Sequence, residues 1–209
     1  MAVTRLYVVR HGATQLTSED RFSGAGGVEL SEAGRRQAAR LGERLRHEGI
    51  TVVYSSPLSR TVDTAAIVAA EWELSIQQQD GLREIDHGRW EGLTRDEVVR
   101  RFHDEYVAWE NDPFTFAPEG GEAGVSVVAR ALPVIRDIVA HHTGERVLVV
   151  SHKATIRLLI CSLLGIDPRR YRDRLDLAPA CLSVLDVDDS MRARLLLFND
   201  TSHYARDGR

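Results

Sequence analysis

The chain has only two cysteines in 209 residues, Cys161 and Cys181, and they do not form a C-x-x-C pair. That excludes a disulfide framework, a thiolate zinc site and a dithiol redox centre, and leaves two plain buried thiols as the expectation. A basic excess is also missing. The 27 Lys and Arg stand against 31 Asp and Glu, a formal net charge of -4, whereas a nucleic-acid surface needs a cationic face to release counterions. No apolar run approaches the ~20 residues of a membrane span, and the short one after Met1 is far below a signal-peptide core. The expectation is a cytoplasmic chain with no nucleic-acid and no membrane partner. An anionic substrate would then have to be met by a local cluster of arginines.

What is present is the balance of a globular protein, 43% hydrophobic and 28% charged. Its length suits one core, so residues 1–209 are expected to form a single domain. Leu6-Tyr7-Val8-Val9 is a continuous apolar run ending in Arg10-His11-Gly12, the pattern of a buried parallel strand that stops at a functional loop. Residues 14–29 carry little periodicity and read as loop. Ser31 suits an N-cap, and Ala38, Leu41 and Leu45 recur at helical spacing, predicting a helix over 32–48. A strand over 51–54, Ser55-Ser56-Pro57 and a helix through Ala65 and Val68 follow.

Further on, a short strand near 74–76 and a helix from about Thr94 are expected. Residues 111–121 hold two prolines and Gly120-Gly121, and read as the core of a lid or specificity segment at about 103–121. A helix over 122–142 contains Pro133, which predicts a kink. Val147-Leu148-Val149-Val150 repeats the first strand's character and ends in Ser151-His152, before an apolar helix over 154–164 that stops at Gly165. Two closing strands, 181–187 and 193–198, complete the pattern, the second antiparallel at an edge. Alternating strands and helices predict an α/β fold: a three-layer αβα sandwich on a mostly parallel, doubly wound sheet, with its site at the strand carboxyl ends.

Polar groups gather at those predicted ends: Arg10, His11, Arg60, Glu84 and His152. Arginine offers planar paired donors to phosphate, and helix N-termini after Pro57 and His152 add backbone N–H groups. An imidazole with an unperturbed pKa near 6.5 is roughly three-quarters neutral at pH 7 and can attack phosphorus without a separate base. The leaving alcohol needs a proton, and an ordinary carboxyl is only about 0.2% protonated at pH 7, so a donor at Glu84 must gain its proton through burial or a nearby phosphate dianion. Asp86 and Glu91 lie close enough in sequence to be confused with it. Arg60 could instead pair with Asp63. No nucleophile elbow, P-loop or dinucleotide fingerprint is present, and no metal or cofactor is expected.

Val9-Arg10-His11-Gly12, Leu30-Ser31-Glu32-Ala33-Gly34, Ser55-Ser56-Pro57-Leu58-Ser59-Arg60-Thr61, Leu82-Arg83-Glu84 with Gly88-Arg89-Trp90-Glu91-Gly92, Gly120-Gly121-Glu122 and Val150-Ser151-His152 occur in this order. Together they resemble the histidine phosphatase superfamily, its phosphoglycerate mutase-like branch. The resemblance implies His11 as nucleophile, Arg10, Arg60 and His152 around the phosphate, Glu84 as proton donor, and no metal. It also places Thr17, Arg21, Ser23 and Gly24 at the substrate pocket.

Where the family often has an acid, an asparagine and a glycine, this chain has Ala13, Thr17 and Lys153. The stretch from Glu84 to Trp90 is most similar to metal-independent phosphoserine phosphatases, which implies that His87 contacts a substrate carboxylate; Lys153 is a weaker candidate anchor and His203 a tail residue. Mutases carry a basic residue after the acid, where this chain has Ile85. Hydrolysis of a small phosphorylated metabolite, with phosphoserine one candidate, is therefore favoured over a phosphoglycerate mutase and over an inactive scaffold. A homodimer is compatible with this reading.

Overall fold

The first element, β1 (Thr4–Arg10), is the strand expected from the opening apolar run. In the computed structural model, which describes residues 2–24 and 26–204, it is followed by a single-turn helix α1 (Gln15–Ser18), α2 (Glu32–Leu45), β2 (Val52–Ser55), α3 (Ser59–Val68) and β3 (Ile76–Gln78). Next come α4 (Arg95–Arg101), α5 (His103–Asn111), α6 (Gly124–His141), β4 (Arg146–Ser151), α7 (Lys153–Leu164), α8 (Tyr171–Arg174), β5 (Leu182–Val187) and β6 (Ala193–Asp200). Short 3-10 turns occupy Asp80–Leu82, Gly88–Trp90 and Pro168–Arg170.

The sheet order is β3-β2-β4-β1-β5-β6, with β3, β2, β4 and β1 mutually parallel. Side chains alternate across it with the period of a strand. Leu6, Val8, Val147 and Val149 pack under α6 and α7, through Ile135, Ile138, Ile156 and Leu159. Tyr7, Val9, Leu148 and Val150 pack on the other face under α2 and α3, through Leu41, Leu45, Ala65 and Val68. The helices that follow β1 and β4 thus leave to opposite faces, and a crevice opens at the carboxyl ends of these neighbouring strands. The αβα sandwich is the expected one, and the chain shows the α/β fold predicted for it.

Several local expectations change. Residues 14–29 are not all loop, because Thr14 and Thr17 close a capping box around α1. The helix expected over 32–48 ends at Leu45, the last residue that reaches the core. The helix for which Pro133 predicted a kink or break is not broken there: α6 is continuous through the proline, held down by Ala131 before it and Ile135 after it. β6 is the edge strand and antiparallel to its neighbour, as expected, yet β5 also runs against β1. The five residues between β5 and β6 can close a hairpin but not a parallel crossover. Within the segment 103–121, residues 103–111 form α5, which buries Trp109. Among the described residues, no helix is long and apolar enough to cross a membrane, and no group of three or more His, Cys, Asp or Glu is placed to hold a metal ion.

Candidate active site

Pairing of Arg10 with Ser151 aligns the ends of β1 and β4, and the His11 N–H continues the ladder by donating to Ser151 O at 3.0 Å. The next side chain on each strand is a histidine, and the two imidazole centroids lie 5.2 Å apart. His11 Nδ1 is 2.8 Å from Gly12 O. A carbonyl only accepts, so Nδ1 carries the proton and Nε2 keeps its lone pair. Burial, then the Arg10 and Arg60 charges, hold the imidazole well below its ordinary pKa and hence neutral. Gly12 is required here because a Cβ would stand 2.5 Å from Gly34 O.

His152 is fully buried at the N-cap of α7, and burial followed by the neighbouring His11 and arginines keeps it neutral too. Its Nε2 lies 2.8 Å from Ser56 Oγ, which already accepts the Leu58 N–H at 3.3 Å. Among the described residues Nε2 is the acceptor within reach of the Ser56 hydroxyl proton, and donation there leaves the second ring proton on Nδ1, a buried atom with no partner.

Arg10 donates from Nη1 to Leu177 O at 2.6 Å, and Arg60 from Nη1 and Nη2 to Gly26 O at 2.9 Å and Gly24 O at 2.6 Å. Carbonyls orient these guanidinium groups without cancelling their charge, and each Nε is buried and unpartnered. Asp63, the alternative partner for Arg60, instead engages Arg35 at 3.4 Å.

Glu84 is buried at the start of α7. Its Oε1 accepts from Ile85 N (2.9 Å) and Thr155 N (3.1 Å), and Oε2 from Ala154 N (3.1 Å), while the Thr155 hydroxyl, 3.2 Å from Oε1, donates to the closer Arg83 O at 2.7 Å. The two acids that rivalled it are committed elsewhere: Asp86 to Gly88 N, and Glu91 to Gly24 N and His87 N. Of the three, only Glu84 faces the cleft.

That cleft has a volume of about 460 Å³. Arg10, His11, Thr17, Arg21, Ser23, Glu84, His87 and Lys153 reach its wall. Gly24, Arg60 and His152 do not; they stand behind it, Gly24 as the carbonyl that holds Arg60. Thr17 is also spent on Thr14 in the α1 cap, and Arg21 pairs with Glu19 (2.6 Å) and Glu97 (3.1 Å). His87 packs edge-on against Phe22, 4.9 Å between centroids, and burial lowers its pKa against the pull of Glu91.

His203 is more than a tail residue, since its ring donates to Ala180 O at 3.1 Å while Tyr204 Oη donates to Pro179 O at 2.7 Å. The braced Ala180 N–H bonds His11 O at 3.0 Å. Sequence reasoning missed Arg157, Arg172, Trp109 and Asp176, all on the wall. Arg157 could have been found four residues after Lys153 on the same helix face. Arg172, stacked 3.6 Å over Trp109, has no such signal.

A neutral imidazole offering a lone pair, the Arg10 guanidinium and a carboxyl on one cleft wall, with Arg60 and His152 directly behind it, suit phosphoryl transfer. Comparison with known proteins agrees. Residues 6–201 match the model of the histidine phosphatase superfamily, branch 1. The chain is 32% identical to phosphoserine phosphatase 1 of Hydrogenobacter thermophilus, over 96% of this chain and 94% of that one. It is 33% identical to the glucosyl-3-phosphoglycerate phosphatase of Mycolicibacterium vanbaalenii, over 79% and 76%. The solved structure of Bacillus stearothermophilus YhfR superposes with a TM-score of 0.89 at 32% identity, covering 96% of this chain and 98% of that one. The chain belongs to the histidine phosphatase superfamily, branch 1, and is a phosphatase of it.

Proposed function

We propose that the chain hydrolyses small phosphomonoesters bearing a carboxylate, by way of a phosphohistidine on His11. His11 Nε2 attacks phosphorus as the ester oxygen leaves with a proton from Glu84. Water then attacks the phosphohistidine, Glu84 takes its proton, and His11 and inorganic phosphate are released. The unpartnered N–H groups of Arg10, Arg60 and His152 supply donors to the equatorial oxygens in both transfers.

The observation that carries this reading is the proton of His11 pinned on Gly12 O, which leaves a lone pair beside those donors. The carboxylate is supported by the two named relatives, since phosphoserine and a 3-phosphoglycerate ester share a phosphate and a carboxylate on one short skeleton. Ile85, buried in the core, cannot supply the charge that a mutase has after its acid. The buried, free thiols of Cys161 and Cys181 support a cytoplasmic setting.

Rapid quenching with radiolabelled phosphoserine tests the mechanism. Wild type should trap an acid-labile, base-stable phosphoprotein and release phosphate without a bisphosphorylated primer; His11→Ala should do neither. Retained turnover in that variant rejects the nucleophile, and a need for primer favours the mutase.

A further inference from the structure

Beyond the phosphate seat, the cleft wall holds a second cationic pair. Lys153 and Arg157 lie one turn apart on α7 and both line the cleft. Arg157 is nine-tenths buried, its Nε has no partner among the described residues, and its Nη2 pairs with Asp176 Oδ1 at 3.3 Å. Lys153 Nζ reaches the same oxygen at 4.0 Å. Asp176 is a poor permanent counter-ion, because its side chain is 80% exposed and the same oxygen also accepts the Leu177 N–H at 2.8 Å. Arg10 is anchored on Leu177 O, so the two guanidinium groups hang on consecutive residues of one loop.

We infer that Arg157 and Lys153 form a seat for the substrate's carboxylate, which Asp176 occupies as an internal counter-ion until the substrate displaces it. Even with Asp176 still beside them, two cations against one acid leave a net positive charge to draw a carboxylate in. A buried guanidinium with free donors is the group that pairs with a planar carboxylate. Burying one costs free energy unless an anion meets it, and Asp176 meets it only on one edge. This assignment rests on the carboxylated-substrate reading above and names the residues that would enforce it.

The test compares kcat/KM on the full chain for O-phospho-L-serine and O-phosphoethanolamine, which differ by one carboxylate, with the inhibition constant of inorganic phosphate as a check on the phosphate seat. Wild type should prefer phosphoserine, and Arg157→Gln should collapse that preference by about 10- to 100-fold. Asp176→Asn keeps an acceptor for Leu177 and removes the competing charge, so it should raise the preference severalfold through KM. That opposite sign is not expected of residues with only a structural role, and it remains measurable if Arg157→Gln does not fold. No preference in wild type overturns the carboxylate reading and this seat together. A wild-type preference that survives Arg157→Gln, or is unmoved by Asp176→Asn, overturns the seat alone.

Discussion

Replacing Glu84 by Gln separates two jobs that the structure gives one carboxyl. The side chain accepts three backbone N–H hydrogen bonds, two on Oε1 and one, from Ala154 N, on Oε2. A glutamine can place its carbonyl oxygen at the Oε1 site and keep two of them. Its NH2 group then faces the Ala154 N–H, donor against donor. One hydrogen bond to a charged group is worth about 1.5–3 kcal/mol, so at this length the melting temperature should fall by about 3–12 °C.

The catalytic loss has a different signature. A general acid contributes about 10²–10⁴-fold when the leaving alcohol is poor. Phosphoserine should therefore lose that much in kcat/KM, which reports the phosphorylation step without the shared hydrolysis of the phosphohistidine, whereas p-nitrophenyl phosphate, whose phenolate leaves unaided, should lose no more than about tenfold in kcat/KM. Calorimetry and steady-state kinetics at neutral pH give both readouts. Equal losses on the two esters would refute general acid catalysis by Glu84, and an unchanged melting temperature would refute the hydrogen-bond account of its burial.

Two further outcomes follow from the buried histidines. Ser56→Ala removes the proton directed at His152 Nε2; ring nitrogen NMR should show Nδ1 protonated in wild type and a mixture of tautomers in the variant, with kcat down about tenfold, while an unaltered tautomer would reject the assignment. His11, His87 and His152 all have folded pKa values below the ordinary 6.5, so stability is fully present above about pH 6.5 and is lost on acidification as only the unfolded chain takes up protons. Denaturant titrations at pH 7.5 and 5.5 should show His152→Gln losing about 1.4 kcal/mol less than wild type over that interval, the amount due to one imidazole per pH unit; identical losses would show that His152 is not held neutral.

Sequence and structure part most clearly at the acids and cations of the cleft. Glu84, Asp86 and Glu91 are equivalent in sequence, and only their partners tell them apart: Gly88 N–H for Asp86, Gly24 and His87 N–H for Glu91, and the start of α7 for Glu84. Lys153 was visible as a candidate, and Arg157 only through its one-turn spacing from Lys153, with Asp176 against both seen only in the structure. His203 looked like tail because its acceptor, Ala180 O, is 23 residues away. β5 and β6 were legible as strands, but the direction of β5 depended on its pairing with β1.

By itself the sequence determined where strands stop and helices begin, and hence that Arg10, His11, Glu84, Ser151 and His152 stand at element ends. Those signals are local: apolar runs, capping residues and glycines act within a few positions of themselves. Tertiary structure alone decided which ring nitrogen of each histidine bears the proton, which acid meets the cleft and which arginines flank it. Each of those depends on a partner brought from far along the chain, as Leu177 is brought to Arg10 across 167 residues, and no local pattern encodes such an approach.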